Sequence, residues 1–111
     1  MNEKHKVLFE PIKIGNCEIK NRFAMAPMGP GGFCDEQGCY NQKGVEYYVR
    51  RAAGGIGLII TGVTYVENDI EKCVMPSMPC PTINPLNFIK TAKPMTERVH
   101  AYGAKIFSQL S

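Results

Sequence analysis

Apolar residues change their spacing several times along this chain, and each change marks an element. Pro11, Ile12, Lys13 and Ile14 lead to Gly15 and Asn16, after which Cys17, Glu18, Ile19 and Lys20 resume the alternation. A two-residue period on both sides of such a turn pair predicts a β-hairpin within residues 8–20. Asn21 through Ala26 form a compact apolar strand, which Pro27 ends because proline has no N–H for a ladder. Residues 27–40 then make a loop rich in glycine and proline, and Asn41 is placed to cap a helix starting at Gln42. Val45, Tyr48, Val49, Ala52 and Ala53 recur at helical spacing and make one apolar stripe, leaving Glu46, Arg50 and Arg51 to solvent. Gly54 and Gly55 close the helix, since glycine takes the left-handed conformation at little cost.

From Gly57 to Thr64 the chain is almost continuously apolar, the pattern of a parallel strand covered on both faces. A second long loop spans residues 65–83. Asn84 and Pro85 then supply an N-cap and a first-turn proline for another helix. Ala92, Met95, Val99 and Tyr102 should line its buried face, Pro94 should kink or split it, and Gly103 should end it. Lys105, Ile106, Phe107, Ser108, Gln109 and Leu110 read as a further strand.

The order is hairpin, β, α, β, α, β. Strands alternating with helices imply right-handed crossovers and a parallel sheet. Three parallel strands alone would leave open edges, so the expectation is a piece of a larger α/β fold rather than a free-standing module. Both long loops follow strand carboxyl ends and both returns are tight, which puts the working surface at one end of the sheet. An open doubly wound sheet would obey the same rule.

Composition excludes more than it proposes. The 111 residues are 44% hydrophobic and 21% charged, as in an ordinary globular protein. Thirteen basic residues against 10 acidic give +3, and no basic run suggests nucleic acid. The longest apolar run, Leu58 to Ile60, is too short to span a membrane, and the start is polar, so a cytoplasmic protein is expected. Cys17, Cys34, Cys39, Cys73 and Cys80 are odd in number and include no C-x-x-C pair, so free structural thiols are expected in place of a disulfide framework or metal site. The glycines at 29, 31 and 32 and at 54, 55 and 57 do not form G-x-G-x-x-G between strand and helix, so they read as turn residues.

Taken together, Leu8-Phe9-Glu10-Pro11, Ile14-Gly15, Lys20-Asn21-Arg22, Ala26-Pro27-Met28, Tyr48, Arg51-Ala52 with Gly54, Gly55, Gly57 and Leu58, Val66, and His100 with Gly103-Ala104-Lys105 and Gln109-Leu110 resemble the Old Yellow Enzyme-like family of FMN-dependent barrels. The order and spacing match over essentially the whole chain. Residues 10–29, 59–64 and 95–102 look most like clostridial 2-enoate reductases. The resemblance implies an α/β fold, namely the amino-terminal part of a (β/α)8 TIM barrel: bottom hairpin, first three strands and two helices. Residues 1–111 would then be a partial FMN-binding domain, cut after the third strand.

The resemblance also implies which residues touch FMN. Pro27, Met28 and Gly29 correspond to the segment lying against the isoalloxazine ring. Gly62 matches a position the family keeps small, which would let the backbone approach a flat ring. Gln109 matches an amide that hydrogen-bonds the pyrimidine edge, where donors stabilise the charge that builds on reduction. Gly29 departs from relatives that carry Thr or Cys there, which leaves only a backbone N–H for tuning. Arg22 and His100 read as structural or surface residues, and Tyr47 and Tyr48 as helix packing plus one exposed ring.

The implied activity is NADH-dependent reduction of the activated C=C bond of a 2-enoate. The proton-donating Tyr, the substrate-anchoring His, the 4Fe-4S ligands and an FAD- and NADH-binding domain are all expected downstream. No catalytic or metal residue is expected in the chain itself, which should be inactive alone. A homo-oligomer is expected for the full-length protein. The same scaffold also serves 2,4-dienoyl-CoA and bile-acid or steroid enone reductases. A non-catalytic flavin-binding subunit and a plain α/β interaction module remain as readings of other classes.

Overall fold

The computed structural model describes residues 2–29, 31–67, 69–72 and 75–111. Cys73 lies outside the described residues. The first element is one the hydrophobic pattern does not announce: Glu3–Phe9 form a 3-10 helix whose N-cap Asn2 accepts the Lys4 N–H. None of its residues is buried, so no apolar stripe could signal it. The hairpin follows as expected, with β1 (Ile12–Ile14) antiparallel to β2 (Cys17–Ile19). Gly15 takes φ +59° as the first of the two turn residues, a position that favours glycine.

Three parallel strands form the main sheet in the order β3 (Ala24–Met25), β4 (Leu58–Thr64), β5 (Lys105–Leu110). The helices α1 (Gln42–Ala53) and α2 (Pro85–Ala101) are the crossovers and pack on one face of it. Both predicted caps are in place: Asn41 accepts from the Gly44 N–H, and Asn84 from the Asn87 N–H. At the end of α1 the left-handed residue is Gly55, at φ +104°. The core between sheet and helices holds Met25, Tyr48, Val49, Ala52, Ile59, Met95 and Val99. Ile59 and Val99 are fully buried, and each such aliphatic side chain stabilises by roughly 1.5–3 kcal/mol.

Three details of the helix reading need correction. Ala53 is exposed, so the stripe of α1 ends at Ala52. Tyr102 does not continue the buried face of α2; it caps the helix, half exposed, and its carbonyl accepts from Lys20 Nζ. Pro94 does not split α2, which runs unbroken through it. Pro94 and Lys90, the residue whose carbonyl loses its donor, are both exposed, so water can take that carbonyl.

The hairpin sits at the end of the sheet where strands begin. Asn21 donates to the Gly55 carbonyl at 2.7 Å and accepts from the Phe23 N–H, tying hairpin and helix return together. The Arg22 N–H donates to the Leu8 carbonyl at this same end. The sheet face away from the helices is only thinly covered: Phe107 is 40% exposed, and every β5 residue except Ile106 is exposed. The radius of gyration is 15.4 Å, against about 13 Å for a closed domain of this length. Among the described residues no helix is long and apolar enough to cross a membrane.

Candidate cofactor site

At the other end of the sheet the two long loops meet. The Cys80 N–H donates to the Gly38 carbonyl, the Tyr65 N–H to the Pro79 carbonyl, and Asn84 Nδ2 to Gln37 Oε1. The first loop is itself folded: Asp35 Oδ1 accepts the Gln37 and Cys39 N–H groups, and Cys34 bridges Tyr40. Strand carboxyl ends and ordered loops thus share one rim, where α/β proteins place their sites.

Leaving β3, residues 27–29 cross the end of β4 at Gly62. A Cβ on Gly62 would overlap the Met28 carbonyl oxygen and stand 2.9 Å from the Gly29 Cα. The glycine is therefore needed for packing against the crossing segment. Its open side is filled by the backbone of the crossing segment, so Gly62 supports residues 28–29 from beneath. Its N–H is committed as well, donating to the buried Tyr48 hydroxyl at 3.0 Å. Burial raises the Tyr48 pKa and holds the phenol neutral, while the Gly62 N–H pulls the other way.

That N–H lies where the pairing of β4 with β5 is irregular and β3 has already ended. Ile60 pairs with Phe107 and Val63 with Gln109, so β4 advances three residues while β5 advances two. The extra residue is a β-bulge, a feature common beside active sites because it re-aims side chains. Its effect is to set Val63 across from Gln109. Sequence reading missed Val63, although an isolated glycine inside a strand is a recognised sign of a bulge or close backbone approach.

The structure therefore brings together residues 27–29, Val63 and Gln109, with Gly62 below them. Met28 is 51% exposed. Gln109 is exposed, and its amide has no protein partner among the described residues. The side chain missing at Gly29 is partly replaced: the Cε of buried Met78 lies 3.1 Å from where a Gly29 Cβ would stand, and Val63 Cγ1 lies 3.7 Å from it. Chemically this rim is an apolar, backbone-rich wall ending in one free amide. It suits a flat ring with a uracil-like edge, since an amide supplies both donor and acceptor.

Thiols and phenols pack behind the wall. Cys34, Cys39 and Cys80 are buried and free, and Cys17 is partly exposed. Burial pushes the Cys34 thiol up to about 12, with Asp35 adding to the effect, so it stays protonated. Burial likewise raises the Tyr40 phenol. Among the described residues no three His, Cys, Asp or Glu side chains come together as a metal site. The outer face of α1 carries a separate stack, in which Arg51 lies 3.7 Å over the Tyr47 ring and Tyr47 packs against Phe33.

A three-stranded parallel unit with its loops joined at the strand carboxyl ends fits the opening of an α/β barrel. Residues 7–111 match the NADH:flavin oxidoreductase / NADH oxidase family, and the chain belongs to that family. It is 69% identical over 111 residues to the cinnamate reductase of Clostridium sporogenes, covering 100% of this chain and 17% of that protein. It is 37% identical to the NADH oxidase of Thermoanaerobacter brockii, over 93% of this chain and 15% of that one. The solved Old Yellow Enzyme homologue from Zymomonas mobilis superposes with a TM-score of 0.77 at 33% identity, covering 93% of this chain and 27% of that structure. The fold is thus that of the first part of an Old Yellow Enzyme-like TIM barrel, as the sequence motifs imply. The chain spans less than a fifth of the length of both curated relatives.

Proposed function

We infer that residues 1–111 form the first wall of an FMN site in a longer barrel enzyme that reduces 2-enoates with NADH. The observation that carries this reading is the meeting of residues 27–29, Val63 and Gln109 on one rim, with the Gln109 amide unclaimed among the described residues. Gln109 would hold the pyrimidine edge of FMN, and the 27–29 segment would lie against the ring. When bound, FMN supplies the hydride for the β-carbon of the enoate.

The chain's own residues bind, orient and exclude water. Met28 and Val63 present apolar surface to the ring, which keeps water from that side. Gly62 fixes the height of the 28–29 backbone, and Met78 fills the gap beneath Gly29. The proton for the α-carbon would come from an acid outside these residues. A longer chain would also carry FAD and a 4Fe-4S cluster to pass electrons from NADH. Substrate choice follows the similarity to cinnamate reductase, which favours an aryl 2-enoate over a dienoyl-CoA or steroid enone.

The whole enzyme, purified anaerobically, should consume NADH when given cinnamate and yield the saturated acid in equal amount. NADH consumption with other electron acceptors but none with any 2-enoate would overturn the substrate assignment.

A further inference from the structure

The wall just described depends on a contact made from behind the sheet. We propose that Tyr48 is a positioning residue for the cofactor wall, its hydroxyl fixing the β4 bulge that sets Val63 opposite Gln109. This rests on the FMN reading and extends it to a residue that touches no ligand.

Inside a sheet, each β4 N–H would ordinarily find a carbonyl on a neighbouring strand. β3 ends at Met25, the ladder with β5 is interrupted between Ile60 and Val63, and an unpaired buried N–H is costly. Gly62 is buried, and its N–H is met by Tyr48 Oη at 3.0 Å, from a helix on the far side of the core. Tyr48 itself is only 2% exposed, packed edge-on against both Tyr40 and Tyr47, so its hydroxyl has little freedom to move. The contact therefore favours the bulged register over a regular one.

Register decides what the rim presents. A regular ladder from the Ile60–Phe107 pair would bring Gly62, not Val63, opposite Gln109. The Gly62 Cα would also leave its place under the Met28 carbonyl, removing the support of the crossing segment. One phenol oxygen thus governs both halves of the wall. Phenylalanine at 48 keeps the ring and the packing while removing that oxygen, so it separates positioning from bulk.

The test compares the whole enzyme with its Tyr48→Phe and Tyr47→Phe variants. Tyr48→Phe is expected to raise the FMN dissociation constant about tenfold and to shift the bound flavin's absorption maximum and midpoint potential. Tyr47→Phe, on the same helix but outside the bulge, should leave all three unchanged. A Tyr48→Phe enzyme that melts earlier yet binds FMN with unaltered affinity, spectrum and potential would reduce Tyr48 to a packing residue and overturn the proposal. If that variant fails to fold, residue-resolved hydrogen exchange on the unaltered enzyme decides: the Gly62 amide should be protected before FMN is added. Protection appearing only with FMN would show that the ligand, not Tyr48, fixes the bulge. An unaltered enzyme that takes up no FMN would instead overturn the FMN reading, and this proposal with it.

Discussion

Replacing Gly62 with alanine should destabilise the barrel by about 3 kcal/mol and lower FMN occupancy at least tenfold. One methyl group is enough because it has nowhere to go. The added Cβ would overlap the Met28 carbonyl oxygen and stand 2.8 Å from the Met28 carbonyl carbon, and these are backbone atoms that no rotamer change can move aside. Relief requires shifting either the 27–29 segment or β4. The first displaces the wall, and the second strains the Gly62 to Tyr48 hydrogen bond. Stability and cofactor binding should therefore fall together in Gly62→Ala, as read by thermal melting and by FMN titration of the apoenzyme. A variant that melts normally and binds FMN normally would show that the crossing segment does not rest on Gly62.

The second large effect is expected at Gly38→Ala, also about 3 kcal/mol, from two separate causes. Gly38 has φ +72°, a conformation that costs a residue bearing a side chain about 1 kcal/mol or more. Its Cβ would also lie 2.6 Å from the Cys80 backbone N, in the contact where the two rim loops join. The first cause alone operates at Gly15, where φ is +59° and nothing lies within 4 Å of the added atom. Gly15→Ala should therefore cost clearly less, and the difference between the two measures the loop junction. Thermal melts of both variants, with limited proteolysis of the rim, give the comparison. Equal melting points and equal cleavage would mean the junction adds nothing.

Both ends of the sheet are tightly built. At the hairpin end the Asn21 and Lys20 side chains tie elements together, and a Cβ on Gly57 would stand 2.5 Å from Asn21 Oδ1. At the rim, backbone lies so close to Gly38, Gly44 and Gly62 that a side chain cannot be accommodated. Pre-organised backbone of this kind lets a site meet a flat ligand without paying an ordering cost at binding.

Much of the fold was legible in the sequence, for physical reasons. Strand and helix periods, the Asn41 and Asn84 caps and the Gly15 turn are local signals, and local chemistry decides them. The 3-10 helix Glu3–Phe9 was not legible, since it buries none of its residues and carries no helical apolar stripe. Nor was the continuity of α2 through Pro94, which depends on the exposure of Pro94 and Lys90. For the proposed site, residues 27–29 and Gln109 were named through motifs. The Val63–Gln109 pairing and the Tyr48–Gly62 hydrogen bond were not legible, because register belongs to two strands jointly and a hydroxyl's partner fourteen positions away leaves no periodic trace. Gly62 was singled out as a position kept small, and the Met28 carbonyl supplies a packing reason that no sequence pattern carries.

The central claim is that these strand ends form one wall of an FMN site, and Gln109 tests it most directly. Its side chain is exposed and its amide has no hydrogen-bond partner among the described residues, so Gln109→Leu should leave the melting temperature of the FMN-free enzyme unchanged. Loss of the amide's hydrogen bonds to the pyrimidine edge should raise the FMN dissociation constant by roughly tenfold and lower the flavin midpoint potential. Titrating FMN into both apoenzymes gives the answer: a weakened complex on an intact fold supports the account, and equal affinity with equal potential would contradict it.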